Sequence, residues 1–245
     1  MPALVLVFGL QLLCAAHVIR TGRPCQWLFL ILALPLAGCL AYFLLEILPD
    51  LSHSRAARQA VRDLGAAIDP ERDLRELAER AAQADTVANR TALAEECLRL
   101  GRAADARRLF QSCLTGLNAT DHAIMLGLAQ AEFALQDHAG ACETLVRLRA
   151  AHPGLDCPHG HLLYARSKEG LGEVERALIE YAALAEYHSG EEARCRLALL
   201  LQKTGRVAEA RALFEQVVRS VERAGKLYWR AERDWYEVAR RNLAG

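Results

Sequence analysis

The sequence predicts an all-α chain, with an N-terminal transmembrane helical hairpin, an α-solenoid of about four helix pairs and a C-terminal capping helix. Two long apolar runs crowd into the first fifty residues. Beyond them one pattern recurs four times: a large residue and an alanine, a second alanine twelve positions on, and another large residue four further on. The sets are Leu93-Ala94/Ala106/Phe110, Leu128-Ala129/Ala141/Leu145, Tyr164-Ala165/Ala177/Tyr181 and Leu197-Ala198/Ala210/Phe214, spaced by 35, 36 and 33 residues. A fixed period in that range marks stacked supersecondary units rather than one globular core.

Between Ala3 and Ile19 the only polar groups are Gln11 and His17, and between Trp27 and Leu48 the only charge is Glu46. A helix needs about 20 apolar residues to cross a hydrocarbon core, with about 17 as the lower limit. A cleaved signal would start with basic residues and end in small ones, and neither is present; bulky Leu13 precedes Cys14 where a lipoprotein signal needs a small residue. Residues 1–50 are therefore expected to form an uncleaved hairpin, turned at Arg20–Pro24 and held in the membrane by residues 3–48, with Pro35 kinking the second helix. The order of basic loop, Trp27, Pro35-x-x-Gly38 and Tyr42 resembles the N-terminal two-helix segment of bacterial cardiolipin synthases. That family's catalytic domain carries a His-x-Lys-x-x-x-x-Asp motif, and no histidine here is followed two residues later by lysine. The resemblance thus implies a shared anchor without the lipid chemistry.

Lys and Arg number two in the hairpin loop (Arg20, Arg23) and three after the second run (Arg55, Arg58, Arg62), which leans the C-terminal part toward the cytoplasm of a bacterial inner membrane. Cysteine use points the same way. The part beyond the hairpin has five cysteines and no Cys-x-x-Cys pair; Cys97 and Cys113 fall on apolar positions, which suits a reducing compartment. Overall charge is balanced, 30 basic against 30 acidic residues, so no nucleic-acid partner is expected.

Residues 51–86 read as a polar helical linker. Ser52 or Ser54 is placed to cap a helix running to about Leu64, and Asp69-Pro70 to start another whose stripe is Leu74, Leu77, Ala78 and Ala81. These helices are expected to lie on the first repeat. Residues 87–222 form the repeats, with turns at Gly101, Gln136, Gly172 and Gly205, and residues 223–245 the cap, with Trp235 and Tyr236 among its bulky residues. Spacing, turn glycine and both alanines resemble the tetratricopeptide repeat. The second unit departs with Gln136 where glycine is usual.

That resemblance implies a concave groove lined by the first helix of each unit, here Glu95, Leu98 and Arg99, then Gln130 and Phe133, then Arg166 and Glu169, then Leu199, Gln202 and Lys203. Apolar anchors mixed with a few charges suit an extended or helical peptide of a protein partner. No asparagine stands in this set, so capture of a chaperone's C-terminal carboxylate is not expected. Cys157, His159 and His161 alternate in one loop, but structural zinc sites usually bring two separated pairs, so no metal or other cofactor is expected. There is no nucleophile elbow, phosphate loop, His-Glu-x-x-His or dinucleotide fingerprint, so no enzyme activity is expected. The reading is a membrane-anchored scaffold that recruits a protein partner. The alternatives are a periplasm-facing envelope-assembly factor and a regulatory subunit of a membrane lipid enzyme.

Overall fold

The computed structural model describes residues 2–21, 26–42 and 69–244, and the described residues hold fourteen α-helices and no strand. The chain divides into two compact units, residues 1–72 and 73–245.

The first unit contains α1 (Pro2–Thr21), α2 (Gln26–Ala33) and α3 (Pro35–Tyr42). Cys14, Val18, Ile31, Cys39 and Tyr42 form its core. The second apolar run, expected to be one kinked helix, is two helices of eight residues broken at Leu34. The cause lies at Pro35, which has no N–H to return to the carbonyl four residues back, that of Ile31. Gln11 supplies the missing donor: its Nε2 donates to the Ile31 carbonyl at 2.8 Å. The other polar group of the first run, His17, meets the Tyr42 hydroxyl at 2.9 Å. The chain turns so sharply after α2 that a Cβ on Gly38 would lie 2.3 Å from the Leu30 carbonyl oxygen. Among the described residues no helix is long and apolar enough to cross a membrane. The rest of the second run, Phe43–Leu48, and the helix expected up to Leu64 lie outside the described residues.

The boundary of the second unit falls at the first residue of α4 (Arg72–Gln83), a helix that starts two residues after Pro70 rather than at it. Leu74 of α4 joins the core of the first repeat. Leu77 and Ala81 are half-buried and Ala78 is exposed. Asn89 Nδ2 donates to the Ala84 carbonyl at 2.8 Å, which ties the end of α4 to the next helix.

Four antiparallel pairs follow: α5 (Val87–Arg99) with α6 (Ala103–Cys113), α7 (His122–Ala134) with α8 (His138–Ala151), α9 (Pro158–Gly170) with α10 (Val174–Tyr187), and α11 (Glu192–Lys203) with α12 (Val207–Arg223). All eight patterned alanines are buried, which lets the two helices of each pair approach closely. Phe110, Leu145, Tyr181 and Phe214 are buried behind them. The Phe110 ring reaches across to α7, where a Cβ on Gly127 would lie 2.5 Å from its Cζ.

The four turns are the same turn. Gly101, Gln136, Gly172 and Gly205 have φ of 76°, 63°, 74° and 82°. The next residue's N–H returns to a carbonyl five residues earlier each time, from Arg102 to Cys97, Asp137 to Glu132, Glu173 to Lys168 and Arg206 to Leu201, at 2.8 to 3.0 Å. These bonds satisfy helix-end carbonyls as a left-handed C-terminal motif does. Gln136 therefore departs in residue type but not in geometry.

The closing segment, expected as one helix, is two: α13 (Lys226–Ala231) and α14 (Arg233–Ala244). Glu232, at the break, accepts from the Glu191 N–H at 2.9 Å, and the Tyr228 hydroxyl donates to Glu191 Oε1 at 2.9 Å. Ala239 is buried, and Trp235 and Leu243 lie against the core of the last two repeats. Leu227 and Trp229 stay exposed.

Candidate functional site

The first helices α5, α7, α9 and α11 carry all ten residues expected in the groove. Phe133 is half-buried, and the Arg166 guanidinium lies 4.7 Å from its ring centre, on the helix one repeat later. His138 also stands beside the Phe133 ring, with ring centres 5.1 Å apart. Arg166 Nη1 then reaches Glu192 Oε1 at 3.7 Å. The same carboxylate oxygen accepts from Arg196 Nε at 2.7 Å. Arg196 in turn lies 5.3 Å from the Trp235 ring of α14.

Phe133, Arg166, Glu192, Arg196 and Trp235 thus form one continuous run across four helices, α7, α9, α11 and α14. Arg166 Nε is buried without a hydrogen-bond partner, so this guanidinium has unspent donor capacity. A second link runs beside the first, from Lys203 Nζ to Glu169 Oε1 at 3.8 Å, while Glu169 Oε2 accepts from the Tyr181 hydroxyl at 2.8 Å. Burial and the adjacent Glu169 carboxylate both hold the Tyr181 hydroxyl well above its ordinary range.

The remaining residues are placed differently. Glu95, Gln130 and Gln202 are exposed on their helices. Arg99 is held by Glu96 on its own helix, and that hydrogen bond raises the guanidinium further. Leu98 and Leu199 are half-buried against the repeat cores. Sequence reasoning missed Glu192 and Arg196. A spacing of four is that of an ordinary ion pair on one helix face, and only the contact from Arg166 one repeat earlier brings them into the run.

A separate cavity of about 190 Å³ opens between α8 and α9. Leu145, Leu148, Leu155 and Tyr164 supply apolar wall, and Arg149, Asp156, Cys157, His161 and Tyr187 also line it. The three alternating residues Cys157, His159 and His161 diverge here. His161 is held through Nε2 by Glu180 at 2.6 Å and through Nδ1 by the Tyr187 hydroxyl. His159 faces His188, with ring centres 6.4 Å apart, and Cys157 lines the cavity. Burial, then the charges of Asp156, Cys157 and Glu180, push the Tyr187 hydroxyl up.

Comparison with known proteins agrees with this architecture. The family profile for the tetratricopeptide repeat matches residues 123–154 and 192–221. A crystal structure of MamA superposes with a TM-score of 0.56 at 16% identity, covering 69% of this chain and 95% of that one. TTC0263, a thermophilic tetratricopeptide repeat protein of Thermus thermophilus, gives 0.56 at 19% identity over 77% of this chain and 97% of that one. A tetratricopeptide repeat protein from Parabacteroides merdae gives 0.53 at 18% identity over 80% and 76%. No curated protein matches the sequence. Residues 123–154 and 192–221 thus match the tetratricopeptide repeat, and the second unit is an all-helical array with the fold of the solved repeat proteins.

Proposed function

We propose that this protein is a membrane-anchored scaffold, whose first-helix face holds an extended or helical peptide segment of a protein partner and recruits that partner to the cytoplasmic side of a bacterial inner membrane. The observation that carries the binding half is the run Phe133, Arg166, Glu192, Arg196, Trp235. An aromatic ring stands at each end of it with two guanidinium groups between, and aromatic and arginine side chains are the common energetic anchors of protein interfaces. Exposed Gln130 and Gln202 flank it with further donors and acceptors. The anchoring half rests on the apolar composition of residues 3–48, and the orientation on Arg55, Arg58 and Arg62 outnumbering Arg20 and Arg23.

Two experiments test the two halves. Capture of the full chain from membranes should recover a protein partner that is lost on Arg99→Ala combined with Phe133→Ala; recovery unchanged by those substitutions would contradict the groove. A reporter active only outside the cytoplasm, fused after Gly245, should stay silent in a stably expressed membrane fraction. Reporter activity would overturn the orientation.

A further inference from the structure

We propose that the cavity between the second and third repeats is a binding site for a small zwitterion with an apolar side chain, the chemistry of a free aliphatic or aromatic amino acid. The site is separate from the groove and stands on its own observations.

The third repeat is smaller than the second at the positions beside the cavity. The second repeat buries Ile124 and Met125, at 4% and 1% exposure, near the start of α7. Thirty-six residues on, at the start of α9, the chain has Gly160 and His161. Gly160 contributes no side chain, and His161, which lines the cavity, is held at its edge by Glu180 and the Tyr187 hydroxyl. About 190 Å³ is left against Leu145, Leu148 and Tyr164. The space is open to solvent on one side, where Val146, Arg149, Leu155, Asp156 and Tyr187 are exposed, so a small molecule can enter it. It lies below the roughly 300 Å³ at which pockets for drug-sized ligands begin, so its occupant is small.

Charge at the rim selects the occupant's class. The Arg149 guanidinium lies 5.8 Å from the centre of the Tyr164 ring and has no carboxylate partner among the described residues. Asp156, in the loop that closes the cavity, likewise has no cationic partner among them. One unpaired charge of each sign thus stands over an apolar wall. A plain carboxylate would face Asp156 unpaired, and a plain amine would face Arg149 unpaired. A zwitterion answers both, with its side chain against the leucines and Tyr164.

The test is equilibrium dialysis of the intact chain against labelled leucine and phenylalanine, alongside 4-methylpentanoate and 3-methylbutylamine, which each keep one charge of leucine. Saturable binding of at least one amino acid at a single site is expected, with both singly charged analogues more than 10-fold weaker. Arg149→Ala should weaken binding about 10- to 100-fold, as loss of a charged hydrogen-bond donor does. Leu155→Trp, a loop substitution that fills the cavity from its edge, should abolish binding while the helical circular dichroism is unchanged. No saturable binding by the folded chain, equal binding of 4-methylpentanoate, or affinity unchanged in Arg149→Ala would each overturn the proposal. The groove reading would stand in all three cases.

Discussion

The Arg166 guanidinium lies 4.7 Å from the centre of the Phe133 ring, and the two side chains come from the first helices of successive repeats. The contact is thus both a joint between repeats and the start of the run proposed to hold a partner. A cation over an aromatic face at a partly exposed site contributes about 0.5–1 kcal/mol. Phe133→Ala and Arg166→Ala should therefore be coupled by about that amount in a double-mutant cycle read by urea unfolding. Additive losses would mean that the two side chains do not stabilise each other.

Gln136 occupies a left-handed position, φ 63°, that glycine fills in the other three turns. A residue with a Cβ is strained there by about 1 kcal/mol relative to glycine. Gln136→Gly should raise the unfolding free energy by roughly that amount, and Gly172→Ala should lower it by a similar one. A denaturation midpoint that falls in Gln136→Gly would show that the glutamine side chain contributes something its turn geometry does not reveal.

At Gly127 the effect runs the other way, because a Cβ would lie 2.5 Å from the Phe110 ring. Gly127→Ala replaces a poor helix former with a good one, yet overpacking of this kind costs about 1–3 kcal/mol. Net destabilisation is expected, together with partial rescue by Phe110→Leu, which withdraws the ring. Thermal unfolding of the two single variants and the double variant decides it.

Glu132 is a buried carboxylate whose Oε2 accepts from the Thr144 hydroxyl at 2.8 Å. Burial pushes its carboxyl above the ordinary carboxylate value, the Thr144 bond opposing the rise. A proton is thus held more tightly in the folded chain than in the unfolded one. The stability this confers is fully present below the unfolded value near 4.5 and is lost as pH rises through the higher folded value. Glu132→Gln keeps an acceptor for Thr144 and removes the buried charge. It should melt above the parent chain at neutral pH and converge on it in acid; a variant that melts lower at neutral pH would contradict this account.

The helix pairs were legible in the sequence because their packing is periodic. Ala94, Ala129, Ala165 and Ala198 recur where a small side chain is needed, and each is fully buried. Other features depend on residues that periodicity does not connect. The break of the second apolar run follows from Pro35, but the turn that brings Gly38 against Leu30 requires Gln11, twenty residues before Ile31, to take over a carbonyl. The break at Glu232 likewise depends on its bond to Glu191, forty-one residues away in sequence. Phe133, Arg166 and Glu169 are named by their position in the repeat, whereas Glu192 and Arg196 have only the spacing of an ordinary helix pair, and their link to Arg166 is visible in the folded chain alone. Leu98 and Leu199 are partly buried against the repeat cores, which their position in the repeat does not reveal.

The central claim is that a partner lies along the first helices, and site-specific photocrosslinking in the full chain tests it most directly. A photoreactive residue would replace exposed Gln130 on α7 or Gln202 on α11, with exposed Ile179 on the second helix α10 as the comparison. The account predicts that both groove positions crosslink the same protein, that Ile179 does not, and that Phe133→Ala with Arg166→Ala removes the crosslinks. Crosslinks from Ile179 alone, or crosslinks at Gln130 and Gln202 that survive the double substitution, would contradict it.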